Sequence, residues 1–77
     1  MNKNEHVPDW DGKSEPLRLY VRRVRLFQSN TNMPKWRQAG RLLERLKGDA
    51  FDKTEQLDPE KLKTDTGVEA LLEYLRN

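Results

Sequence analysis

Cysteine is absent from these 77 residues. That excludes disulfides, a thiol nucleophile and any cysteine-based zinc or iron–sulfur site. Histidine occurs once, as His6, in a polar stretch that offers no partner to orient it as a base. No apolar run approaches the roughly 18–20 residues of a membrane span. The opening MNKNEHVPDW has no signal-peptide apolar core. The expectation is therefore a soluble, cytoplasmic protein with no membrane partner. The four glycines, Gly12, Gly40, Gly48 and Gly67, are scattered, so no phosphate-cradling loop is present. Asp49, Asp52 and Glu55 share one side of a helix, but a solvated acidic helix start explains them without a metal. These absences predict a protein that is not an enzyme and that needs no metal and no cofactor.

What is present is charge and helical periodicity. The net charge of +2 hides an asymmetry. Up to Gly48 there are eleven Lys/Arg against five Asp/Glu, or +6; beyond it there are four against eight, or −4. Such halves either face each other within one fold or associate between molecules. A chain this short buries only about 60% of its unfolded surface, so one domain with a thin core is expected.

Residues 1–9 are polar and aperiodic and read as a flexible arm, leaving residues 10–77 as the domain. Asp11-Gly12 marks a turn, Ser14 suits an N-cap, and Pro16 suits a first helical turn. Leu17, Tyr20, Val21, Val24 and Phe27 then recur at three- and four-residue steps, an amphipathic helix. Ser29 to Asn32 and Pro34 punctuate before a second helix, whose core face carries Trp36, Ala39, Gly40, Leu43 and Leu46, with Leu42 beside them. That helix is expected to stop at Gly48 after Lys47, and Gly40 to mark a close helix approach. Asp49 is expected to cap a short helix AFDKTEQL that buries Ala50, Phe51, Thr54 and Leu57 in some combination. Asp58-Pro59 opens a brief turn through Leu62, and Thr66 with Glu69 fits a capping box before Val68, Leu71, Leu72 and Leu75. The expected fold is all-α, a small bundle of four to five short helices. Its expected core is Leu17, Tyr20, Val21, Val24, Phe27, Trp36, Leu43, Leu46, Phe51, Leu57, Val68, Leu71, Leu72 and Leu75.

Two surfaces stand out as candidates. Arg18, Arg22 and Arg25 gather on one side of the first helix, and Arg37, Arg41 and Arg45 recur at four-residue steps on the second. Together they could track the phosphates of RNA or DNA. The basic residues are not interleaved with aromatics expected to be exposed, which favours a solvated face instead. Leu19 and Leu26 fall outside both the core stripe and the arginine stripe. With Arg23 they are the candidate contact with another subunit; Trp10, beside the turn, is expected first to cap the bottom of the core against Leu19 or Leu26, with joining that contact as its second reading. A groove between the first and last helices that takes a short partner peptide is a third reading.

The order of these features resembles a known family. A WDG turn, a helix with Tyr20 and Val24, then QAGRLLERLKGDAF and LDPEKLKTDTGVEALLEYL are similar to the N-terminal part of Gag polyproteins of copia-type long-terminal-repeat retrotransposons. The matching positions are Trp10, Asp11, Gly12, Tyr20, Val24, Gln38, Ala39, Leu42, Leu43, Leu46, Gly48, Ala50, Leu57, Gly67, Val68, Leu71, Leu72 and Leu75. The resemblance spans Pro8 to Arg76 and rests mainly on apolar spacings. It implies a fold like the N-terminal lobe of a retroviral capsid, self-assembly with related Gag subunits, and packing around the element's RNA. This sequence departs from a full Gag in having neither a second capsid lobe nor a Cys-x-x-Cys zinc knuckle.

Overall fold

Proline and polar turn residues set the helix boundaries in the computed structural model, which describes residues 6–77. Four α-helices and one 3-10 turn follow in order: α1 Leu17–Asn30, α2 Lys35–Glu44, α3 Gly48–Lys53, the 3-10 turn Pro59–Leu62, and α4 Gly67–Arg76. No strand forms among the described residues, and the chain is a small all-α bundle. Helix α2 packs chiefly on α4, and the 3-10 turn is wedged against both. Helix α1 adds Tyr20, Val24 and Phe27 to the same core.

The Trp10-Asp11-Gly12 turn clasps the junction between α2 and α3. Trp10 pairs with Leu46 in an isolated parallel β-bridge, and the Lys47 N–H donates to the Trp10 carbonyl at 2.9 Å. The Asp11 carbonyl accepts from the Ala50 N–H at 3.2 Å. The Trp10 ring stacks on Tyr20 at a centroid distance of 5.1 Å, and its indole N–H donates to the Glu15 carbonyl at 2.8 Å. Gly12 at φ +87° and Gly48 at φ +50° lie on either side of this clasp, in the region where a Cβ is disfavoured.

Several local expectations are corrected. The N-cap position of α1 is Pro16, not Ser14, whose N–H instead donates to the Asp11 carboxylate at 2.7 Å. The α1 entry is thus organised by an Asx turn that begins at Asp11. Helix α2 ends at Glu44, not Gly48, because residues 46 and 47 turn away to pair with Trp10. Helix α3 begins at Gly48 with Lys47 in the N-cap position, so Asp49 lies in the first turn rather than capping it, and α3 ends at Lys53. Asp58 does cap the 3-10 turn, accepting from the Glu60 N–H, with Pro59 beside it as expected. The capping box at Thr66 does not form: Thr66 makes no side-chain cap, and Glu69 bonds Arg25 instead.

The core also differs from the expectation at named positions. Trp36 and Phe51 are exposed at 49% and 52%, and Leu42 and Leu62, outside the expected core, are buried; Ala39, Ala50 and Thr54 are buried as their helix faces imply. Leu17, Val21, Leu43 and Leu57 pack against the core from its edge. Gly40 does not mark a close approach, since nothing lies within 4 Å of where its Cβ would be. The close approach is at Gly67, where a Cβ would overlap the Leu62 carbonyl and reach within 3.2 Å of the Ala39 methyl. Of the predicted arm, residues 1–5 lie outside the described residues. Pro8 is buried, Val7 packs on the core, and Asp9 pairs with Lys47 at 3.3 Å.

Candidate interaction surfaces

Helix α1 turns a full stripe outward. Leu19 and Leu26 are seven residues apart, two helical turns, and therefore lie one above the other. They are 38% and 54% exposed, although both are large apolar side chains. Arg22 and Arg23 stand between them. Arg22 is exposed and has no hydrogen-bond or ion-pair partner among the described residues. Arg23 is held inward: it donates to the Glu15 carboxylate at 3.0 Å through its Nε and to the Asp9 carbonyl at 2.6 Å. Its guanidinium also lies 5.9 Å from the centre of the Tyr20 ring. Arg23 thus ties α1 to the N-terminal segment rather than standing free for a partner. Trp10 likewise is part of the core, not of the surface.

Leu26 forms one wall of an open cleft of about 560 Å³ between the N-terminal segment and the end of α1. Pro8 and Phe27 supply further apolar lining, and Arg23, Arg45 and Asn30 supply polar groups. The apolar stripe of α1 therefore runs into a concave, basic-edged surface. Sequence reasoning missed the cleft because it treated Pro8 as arm; a valine and a proline, three and two residues before a buried tryptophan, were its signal.

The six arginines proposed as one phosphate track are divided among different surfaces. Arg25 donates to both oxygens of Glu69 on α4, at 2.7 and 3.0 Å, which holds the Glu69 carboxyl below its ordinary pKa and raises that of Arg25. Arg41 pairs with Glu44 at 3.4 Å, and Arg45 lines the cleft beside Leu26. Arg18, Arg22 and Arg37 are exposed and unpaired among the described residues.

A second, smaller slot of about 240 Å³ opens along α2, lined by Trp36, Arg37, Gly40, Arg41, Glu44 and Lys63. Trp36, Gly40 and Glu44 are four residues apart, so the missing side chain of Gly40 leaves a gap in one ridge. The sequence held this signal in Lys35-Trp36-Arg37, an indole between two cations at a helix start.

The predicted contact between charged halves is realised only in part. Lys13–Asp49 at 3.4 Å and Arg25–Glu69 join the basic first part to the acidic second. Asp52, Glu55, Asp65 and Glu73 remain exposed and unpaired among the described residues. No group of three His, Cys, Asp or Glu side chains is arranged to hold a metal ion among the described residues, and none of their helices is long and apolar enough to cross a membrane.

Fold and surfaces together define a small helical bundle whose distinguishing chemistry is exposed apolar anchors set in opposite charge. Comparison with protein-family models, with curated proteins and with solved structures finds no match.

Proposed function

We propose that this chain is a non-enzymatic assembly domain that binds further copies of itself through the outward stripe of α1. The observation that carries this reading is the pair Leu19 and Leu26, exposed two turns apart on a helix whose other apolar residues serve the core. Apolar anchors at the centre of a contact supply most of its energy, and charge sets its orientation. Arg18 and Arg22, unpaired among the described residues, lie on or beside this face with Arg45, and carboxylates unpaired among the described residues populate the second half of the chain. Such polarity favours a head-to-tail contact, in which the basic α1 face of one copy meets carboxylates from the second half of the next. The resemblance to copia-type Gag N-terminal regions supports the same reading and adds a capsid-like lattice as the form the assembly takes.

The experiment is mass in solution against concentration, by light scattering after size exclusion, at low and moderate salt. Mass should rise with concentration and fall with added salt. Leu26→Glu should weaken association severalfold while leaving the helical circular dichroism intact, because the side chain is already half exposed. A monomer at every concentration up to the solubility limit would overturn the reading.

A further inference from the structure

We propose that the slot on α2 is a binding site for single-stranded nucleic acid, with a base stacked on Trp36 and its phosphates held by Lys35, Arg37 and Lys63. This site is separate from the α1 stripe and does not depend on assembly.

Three observations point there. First, the Trp36 indole is 49% exposed at the start of α2, although tryptophan is the largest apolar side chain the chain possesses. Second, Gly40 stands one turn along the same ridge with open space where its Cβ would be, so a flat ring can approach the helix backbone. Third, the surroundings are cationic. Lys35 and Arg37 are exposed and unpaired among the described residues, and Arg41 and Lys63 line the slot. The acids nearby are Glu44, paired to Arg41 at 3.4 Å, and Glu60, paired to Lys63 at 3.1 Å. Among the residues that line the slot, Arg37, Arg41 and Lys63 stand against Glu44 alone, a balance of +2. The Lys63–Glu60 pair is solvent-exposed and so exchanges readily for a phosphate partner.

The geometry selects among anionic partners. An acidic peptide would use the cations of the slot but leave the exposed face of Trp36 without a partner. A base needs only an aromatic face and a cation at phosphate distance, which is how sequence-tolerant single-strand binding operates. A duplex hides its base faces and cannot use Trp36 in this way.

The test is fluorescence anisotropy with labelled twelve-nucleotide oligo-U and oligo-dT, a hairpin duplex and an oligo-glutamate peptide, at about 50 and 200 mM salt. The assembly-deficient Leu26→Glu chain is titrated beside the unaltered one, so that loss of self-association is read separately from loss of binding. Single strands should bind more tightly than the duplex and more weakly at higher salt. Trp36→Ala should weaken that binding about tenfold, and Trp36→Phe should restore much of it. Gly40→Leu, whose Cβ has open space and whose side chain occupies the slot, should weaken it comparably while thermal melting is unchanged or raised. Binding that survives both Trp36→Ala and Gly40→Leu overturns the proposal, and so does a preference for the duplex. Equal affinity for oligo-glutamate would make the slot an acidic-peptide site and would equally overturn it, as would no binding to any oligonucleotide at the lower salt.

Discussion

Gly40 and Gly67 are the same residue type in opposite situations, and substitution separates them. At Gly40 an added methyl meets nothing within 4 Å, and the position is interior to α2. Gly40→Ala should therefore raise stability by about 0.5–1 kcal/mol, the ordinary helix preference for alanine. At Gly67 the same methyl collides with the Leu62 carbonyl and crowds Ala39, so α4 would have to move off the 3-10 turn. Gly67→Ala should cost at least about 2 kcal/mol. Urea denaturation of the two variants checks both signs, and a stabilised Gly67→Ala would contradict the packing described. From sequence, Gly40 was the glycine expected at a helix crossing. Spacing shows that a position lies on a helix, but not whether another backbone passes it.

At the scale of elements, the division between buried and outward faces can be tested on α1 and α4. Leu71 is fully buried between helices, so Leu71→Ala removes packed methyls and leaves a cavity. It should cost about 2–5 kcal/mol. A domain of this size has a total stability of the order of 4–12 kcal/mol, so the variant approaches the folding threshold. Leu26→Ala, by contrast, should change the stability of the isolated chain by less than about 0.5 kcal/mol. Equal losses for the two in denaturant titrations would place Leu26 in the core and remove it from the proposed contact. The element pattern itself was legible: Tyr20, Val24 and Phe27 on α1, and Val68, Leu71, Leu72 and Leu75 on α4, have the core role their spacing implies. Trp36 and Phe51 did not follow, for different reasons. Trp36 lies at the margin of the α2 stripe, whose buried residues are Gln38, Ala39 and Leu42. Helix α3 has only six residues and presents Ala50, not Phe51, to the clasp.

For the whole molecule, acid is the condition that should loosen the fold. Asp11 accepts the backbone N–H groups of Ser14 at 2.7 Å and Lys13 at 2.8 Å, and these bonds lower its pKa to about 2. The hydrogen bond from Lys47 lowers Asp9, and that from Arg25 lowers Glu69. A carboxyl whose folded pKa lies below its unfolded value adds stability that is complete above the unfolded value, about 4. That contribution is lost as pH falls through the folded value. The urea midpoint should therefore decline between pH 5 and pH 2, and Asp11→Asn should make the decline shallower. An unchanged slope in that variant would show that the Asx turn carries none of the effect. All three carboxyls are solvent-accessible, so added salt should reduce the contributions of Asp9 and Glu69, which depend on exposed ion pairs.

The amino-acid sequence alone determined the all-α class and the faces that α1 and α4 bury. It also determined the Asp58-Pro59 turn and the absence of any thiol chemistry. These follow from local periodicity, capping preferences and composition, which act over a few residues and are legible without a partner segment. Only the tertiary structure decided that Trp10 reaches Leu46, that Leu62 closes the core, and that Arg23 and Arg25 are tied down while Arg22 has no partner among the described residues. The same is true of the indole of Trp36, left open beside Gly40. Each of those facts depends on which segment lies across from a given face. That choice is made by long-range packing, where a few ångströms between backbones separate a buried side chain from an exposed one.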